Sequence, residues 1–247
     1  MDRLIYTAMS GASHTLKQQA TVAQNLASVN TPGYRAAVNA FRAVPLVGEG
    51  LPTRAFVVDS TTGADFSQGP MQATGRNLDM AVLGKGWIAV QLENGGEAYT
   101  RNGSFQISPV GILQTLNGLN VAGDTGFITI PPNTEVTVAK DGTISTILRG
   151  QIPNQVEVIG RIKLVNPPED QMVRGDDGLF RTKGDKPVVA DIGVTIASGN
   201  LESSNVNVVE GMVTMISLAR QFDMQMKVLQ SADENSRQAS QLLNMNA

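Results

Sequence analysis

From Ser204 to Ala247 apolar or small residues recur in steps of three and four: Met212, Ile216, Ala219, Phe222, Met226, Leu229, Ala232, Ser236, Ala239 and Leu243. That spacing puts them in one narrow seam of a long helix, closer to coiled-coil than to globular-core periodicity. No proline interrupts the run, and its only glycine, Gly211, lies in the first turns. Asn207 followed by Glu210 predicts an N-cap and a capping-box partner. Asp223 with Lys227 and Asp233 with Arg237 are i,i+4 pairs in the favourable orientation. At about 1.5 Å per residue, roughly 40 residues make a rod of about 60 Å. Each large seam residue contributes about 1.5–3 kcal/mol when buried and nothing in water, whereas ordering the backbone costs about 1–2 kcal/mol per residue. Such a helix needs a partner for its seam.

A second seam lies at the other end. Between Arg3 and Val29, Ile5, Met9, Ala12, Leu16, Ala20, Ala23 and Leu26 follow one another at helical spacing. Many are small, so another helix can approach closely; Gly11 weakens the segment by about 1 kcal/mol relative to alanine. The helix is expected to stop at Asn30-Thr31-Pro32-Gly33, because the residue before proline avoids helical geometry. Pairing the two seams is the simplest arrangement, and it makes the middle of the chain an insertion.

That middle reads differently. Residues 34–68 hold Pro45, Gly48, Gly50 and Pro52 around one alternating run and read as an extended connector. Beyond about Gly69 come short alternating segments: Leu78–Val82, Trp87–Leu92, Tyr99–Arg101, Phe105–Ile107, Glu135–Ala139, Ile144–Leu148, Val156–Leu164 and Leu179–Arg181. Asn94-Gly95, Asn102-Gly103, Asn117-Gly118, Asp141-Gly142 and Asp177-Gly178 punctuate them, and such dipeptides suit hairpin turns whose central residues need positive φ. The expected fold class is α+β. Long N- and C-terminal helices (1–33 and 200–247) pair as a coiled-coil-like module, joined through the 34–68 connector to an inserted all-β, hairpin-rich domain over 69–199.

Chemistry is hard to find. A net charge of −3 gives no electrostatic case for nucleic acid or an anionic membrane as partner. Absence of cysteine removes thiol catalysis, disulfides and thiolate metal sites. No segment is apolar enough to insert in a bilayer, and MDRLIYTAMSGASHTLKQQ lacks the apolar core of a cleavable signal peptide. Taken alone this predicts a cytosolic chain and leaves export without a cleaved signal open. His14, the sole histidine, sits off the helical stripe and reads as a solvated or interface residue, too isolated for a triad or a zinc site. Leu83-Gly84-Lys85-Gly86 lacks the earlier glycine and following Ser/Thr of a phosphate loop and reads as a turn; Gly175-Asp176-Asp177-Gly178 is too short for a calcium loop. Asp65, Asp79, Glu93, Glu97 and Asp141 are the carboxylates from which a hydrolytic pair would be drawn, and nothing in the sequence brings two together. No catalytic, cofactor or metal site is expected. The methionines gathered at Met212, Met215, Met224, Met226 and Met245 suit a pliable packing surface.

Three motifs add up to a family resemblance. Asn25-Leu26-Ala27-Ser28-Val29-Asn30-Thr31-Pro32-Gly33-Tyr34-Arg35 resembles the helix-ending signature of the flagellar basal-body rod and hook proteins, with Ser28 where asparagine is usual. Tyr99-Thr100-Arg101-Asn102-Gly103-Ser104-Phe105 followed by Gly111-Ile112-Leu113 is similar to that family's strand motif. The run Gly199-Asn200-Leu201-Glu202-Ser203-Ser204-Asn205-Val206-Asn207, continuing through Met215-Ile216 and Arg220-Gln221-Phe222, resembles its C-terminal signature. Asp2–Met9, Arg42-Ala43-Val44-Pro45 and Leu51-Pro52-Thr53-Arg54 look like a proximal-rod member of that family.

The resemblance implies a structural rod subunit of the basal body, exported uncleaved through the flagellar type III apparatus, with other proximal and distal rod subunits and copies of itself as partners. It also implies a helical tube that transmits torque and encloses the export channel. The assembly interface is then expected at Ile5, Met9, Ala12, Leu16, Leu26, Met212, Ile216, Phe222, Met226, Leu229 and Leu243. A distal-rod or short hook-type protein, a coiled-coil-tethered glycan-binding β-domain and a hydrolase built on the β-domain carboxylates are the other readings.

Overall fold

A computed structural model describes residues 2–45, 55–148 and 156–244. The chain forms two compact units. One comprises Met1–Ala27, Ala37–Asp65 and Val206–Ala247; the other comprises Ser28–Ala36 and Phe66–Asn205.

The second unit is built of antiparallel strands. Its largest sheet runs Met172–Arg174, Phe180–Thr182, Glu97–Thr100, Trp87–Gln91, Asn120–Gly123, Leu113–Thr115, Phe105–Ile107. A three-stranded sheet follows the order Thr134–Val138, Thr143–Leu148, Val156–Arg161, and the ribbons Met80–Leu83 with Thr195–Ser198 and Met71–Ala73 with Asn200–Glu202 complete the unit. Trp87-Ile88-Ala89-Val90 and Met80-Ala81-Val82 are buried without alternation, because these strands are covered on both faces. Met80, Val82, Ile88, Phe105, Leu113, Ile144, Ile162 and Ile196 form the centre of the core. Trp87 packs on Phe180 at 4.6 Å between ring centroids.

At Gly95, Gly118, Gly142 and Gly178 an Asx-Gly dipeptide turns one strand into the next, but only the glycine takes positive φ, closing a turn that begins three residues earlier, so these are not the two-residue turns expected. Asn102-Gly103 departs from this expectation. The strands on either side of it are not neighbours in the sheet; a Cβ on Gly103 would lie 1.6 Å from the Met80 carbonyl oxygen, so glycine is needed there for close backbone approach.

In the first unit, helix α1 (Asp2–Ala27) and helix α2 (Val208–Asn244) lie beside a hairpin of β1 (Ala37–Pro45) and β2 (Ala55–Ala64). β1 and β2 pair antiparallel from Ala37 opposite Ala64 to Pro45 opposite Ala55, with a bulge after Ala40. Residues 34–68, read as an extended connector, therefore contain a paired ribbon. Asn25 near the end of α1 clips onto its first residue, donating from Nδ2 to the Ala37 carbonyl (2.9 Å) and accepting the Ala37 N–H (2.8 Å). Thr21 and Asn39 exchange side-chain hydrogen bonds one turn earlier. The His14 ring meets Phe41 edge-on at 5.7 Å.

Here the expected fold class is corrected: a coiled-coil-like pairing of the end helices along their seams is not what the structure shows. α1 and α2 touch through Gly11 and Thr15 of α1 against Gln225 of α2, where a Cβ on Gly11 would come within 3.0 Å of the Gln225 side chain. Ile216 is 55% exposed, and Met9, Leu16, Met212 and Met226 are also exposed, whereas Leu218, off the expected seam, is 7% exposed. The same helix α1 also has to meet the hairpin through directional bonds at Thr21 and Asn25, which constrains the face it can turn to α2. Asn207 caps α2 as expected, its Oδ1 accepting from Val209 N–H (3.1 Å) and Glu210 N–H (3.3 Å). Asp233 and Arg237 form their i,i+4 pair at 2.8 Å.

Candidate assembly surface

The residues expected at an interface divide into two groups. Ala12 is buried, and Ile5, Leu26, Phe222 and Leu229 are half-buried within the helical unit. Met9, Leu16, Met212, Ile216 and Met226 face outward. The side chain of Leu243 lies outside the described residues. α2 thus carries two apolar stripes rather than one. Met215, Leu218, Phe222, Leu229 and Ala232 form the inward stripe; Val209, Val213, Ile216, Met224 and Val228 form an exposed one.

Sequence reasoning missed the second stripe by following a single seam. Val209, Val213 and Ile216 carried the signal, as β-branched residues at steps of four and three on a helix that would otherwise avoid them. The exposed stripe lines two adjoining grooves. One, of about 500 Å³, runs along Val213, Ile216, Arg220 and Met224. The other, of about 460 Å³, lies between Ala8 and Gly11 of α1 and Met224 and Val228 of α2. Gln221 and Met224 belong to both, so the apolar surface is continuous.

The β unit holds the other unusual arrangement. Glu202 is fully buried, with Arg35 Nη1 at 2.6 Å from Oε1 and Arg101 Nη1 at 3.0 Å from Oε2. Gly69 N–H donates to Oε1 at 3.0 Å. Arg101 also donates to the carbonyls of Val82 and Gly84, and Arg35 to that of Ser67. Arg35 Nε and Nη2 and Arg101 Nε are buried without a hydrogen-bond partner. Burial pushes the Arg101 guanidinium below its ordinary range, the Glu202 carboxylate raises it, and the charge of Arg35 lowers it. Two guanidinium groups thus share one carboxylate. Gly33 makes the approach possible: its φ is +68°, and a Cβ there would fall 2.3 Å from the Arg101 carbonyl carbon. Arg174 stacks over the Tyr34 ring at 4.3 Å and donates to the Arg35 carbonyl. None of these residues was singled out individually from the sequence, although all three signature motifs contain one member of the triad.

Three of the five carboxylates considered for hydrolysis have separate structural tasks. Asp79 binds Arg76 and Ser104, Glu97 binds Lys163, and Asp141 caps its own turn through Thr143. Among the described residues no three His, Cys, Asp or Glu side chains cluster to hold a metal. No described helix is long and apolar enough to cross a membrane.

Three family models and several curated relatives match this chain. Residues 5–35 match the family model "Flagella basal body rod protein", 81–146 the "Flagellar hook protein FlgE/F/G D1 domain", and 197–242 the "Flagellar basal body rod FlgEFG protein C-terminal". Each matched segment supplies one member of the buried triad: Arg35, Arg101 and Glu202. The flagellar basal-body rod protein FlgF of Escherichia coli (strain K12) is 50% identical over 251 positions, covering 99% of this chain and all of that protein. FlgF of Salmonella typhimurium is 49% identical with the same coverage. The rod protein FlgG of Buchnera aphidicola subsp. Acyrthosiphon pisum is 29% identical over 90% of this chain and 92% of its own length. With full-length identity of this order, a matching motif at each end and another in the middle, the chain belongs to the family of flagellar basal-body rod proteins.

Proposed function

We propose that this protein is a structural subunit of the proximal rod, assembling into a helical tube through the outward faces of its terminal helices. The observation that carries this reading is the exposed stripe of α2, from Val209 through Ile216 to Met224, on a helix whose opposite face is already occupied. Leaving Val209, Val213, Ile216 and Met224 in water forgoes about 1.5–3 kcal/mol each, which covering them by neighbouring subunits recovers. Met9 and Leu16, exposed on another face of α1, and Met212 and Met226 on α2 offer further apolar surface for neighbours. Thioethers on such a face tolerate the unlike neighbours met along an axle of several related proteins. Partners are copies of this chain and other proximal and distal rod subunits. Contacts of this kind are head-to-tail rather than two-fold, so they propagate along an axis. Delivery is through the flagellar type III export apparatus, the finished tube encloses part of the export channel, and the work done is the transmission of torque rather than catalysis.

Ile216→Asp tests the reading. Exposed in the monomer, this position tolerates a charge without unfolding; in the assembled rod the same charge is buried without a partner. The expected result is a folded, exported protein that fails to incorporate, and normal rods containing the variant would overturn the role given to this face.

A further inference from the structure

The chain passes between its two units at 36/37, 65/66 and 205/206, as well as directly after α1. On the β-unit side of those three passages, the segments 33–36, 67–70 and 202–205 are bonded to one another in a closed triangle. Asn205 accepts the Ala36 N–H at its Oδ1 (2.7 Å), donates its own N–H to the Tyr34 carbonyl, and donates from Nδ2 to Ser67. Glu202 takes Arg35 and the Gly69 N–H on its carboxylate, while its backbone carbonyl accepts the Gly33 N–H (2.7 Å). Ser203 N–H reaches the Pro70 carbonyl, and Arg35 closes the third side by donating to the Ser67 carbonyl.

We propose that this triangle is a mechanical latch, which makes the three connections into the helical unit bear load together instead of one at a time. The inference rests on the reading of the chain as a torque-transmitting subunit. Stability alone does not call for such a device, since a packed apolar crossing is as stable as a buried ionic one or more so. Directional bonds do what apolar packing does not: they fix the position of each segment against the other two. Pulling any one segment outward then strains bonds held by both of its neighbours. A fully buried Glu202 keeps water from competing for the ionic side of the triangle.

Residue-resolved hydrogen exchange on the full chain, with Asn205→Ala against the parent, tests the latch. Gly33 and Gly69 make no bond to Asn205, so a cooperative latch is expected to release both amides about tenfold faster in the variant, with Ile88 unchanged. Acceleration confined to Ala36, whose acceptor is deleted, overturns the proposal. If Asn205→Ala does not fold, Asn205→Asp keeps the acceptor for Ala36 and removes the donor to Ser67. Joint release of Gly33 and Gly69 again supports the latch, and unchanged exchange there overturns it. In cells, Asn205→Ala is expected to build rods and swim normally in dilute medium but to fail as viscosity rises; parental swimming at every viscosity overturns the load-sharing claim. A strain lacking the protein that swims normally overturns the rod reading itself, a result distinct from either of these.

Discussion

The carboxylate of Glu202 lies 2.6 Å from the guanidinium of Arg35, and neither side chain has more than 1% of its surface in contact with solvent. Two residues 167 positions apart in the chain thus meet inside the β unit, with Arg101 on the second carboxylate oxygen. A charge cluster so completely desolvated is sensitive to the loss of any one member.

Glu202→Ala leaves two buried guanidiniums uncompensated. The expected loss is about 3–5 kcal/mol of β-unit stability, against the near-neutrality of exchanging a whole triad for apolar residues. The midpoint of urea unfolding, followed through Trp87 fluorescence, measures it.

Gly33→Ala meets two obstacles at once, a φ of +68° and backbone atoms of Arg101 and Asn102 within 2.5 Å of the new methyl. A loss above about 2 kcal/mol is expected. Gly95→Ala shares the positive φ with open space around it, so only the backbone penalty, about 1 kcal/mol, is expected there. Equal effects in parallel thermal melts would contradict the close-approach argument.

The two stripes of α2 separate by substitution. Leu218→Ala, on the buried stripe, costs about 2–3 kcal/mol in the monomer. Ile216→Ala, on the exposed one, changes monomer stability by less than about 0.5 kcal/mol. Denaturant unfolding of the two purified variants decides this.

Alkaline unfolding should report Tyr99. Burial pushes its phenol up to about 12; the Val188 N–H donated to its oxygen pulls it down, and the Glu97 charge raises it. The unfolded chain ionises first, near pH 10, so the unfolded state binds fewer protons than the folded one as pH rises. Stability is therefore lost progressively between pH 10 and about 12, by about 2–3 kcal/mol in all. In Tyr99→Phe this increment of alkaline destabilisation disappears, which unfolding curves at pH 9 and pH 11.5 would reveal.

Several parts of the molecule were legible before any coordinates. Helix ends announce themselves locally, through Asn207 as a cap and Asn30-Thr31-Pro32-Gly33 as a stop, because capping and proline sterics involve only a few neighbouring residues. Hairpins at Asn94-Gly95, Asn117-Gly118, Asp141-Gly142 and Asp177-Gly178 are equally local. Asn102-Gly103 carries the same letters for another purpose, since its glycine answers to Met80 and not to its own turn. The 37–64 ribbon escaped notice because its pairing joins segments whose apolar alternation is short and broken by Pro45.

Sequence by itself determined the two end helices, several of the strands, the place of four hairpin turns, and that apolar helix surface exceeds what one chain can hide. Those outcomes depend on periodicity and on the conformational limits of proline, glycine and asparagine, which act over a few residues. Only the tertiary structure decided which stripe of α2 faces inward and that Arg35, Arg101 and Glu202 share one buried site. It alone also brought Asn205 onto two other segments at once. These depend on distances between residues far apart along the chain, and burial and charge pairing acquire their magnitude only once such residues meet away from water.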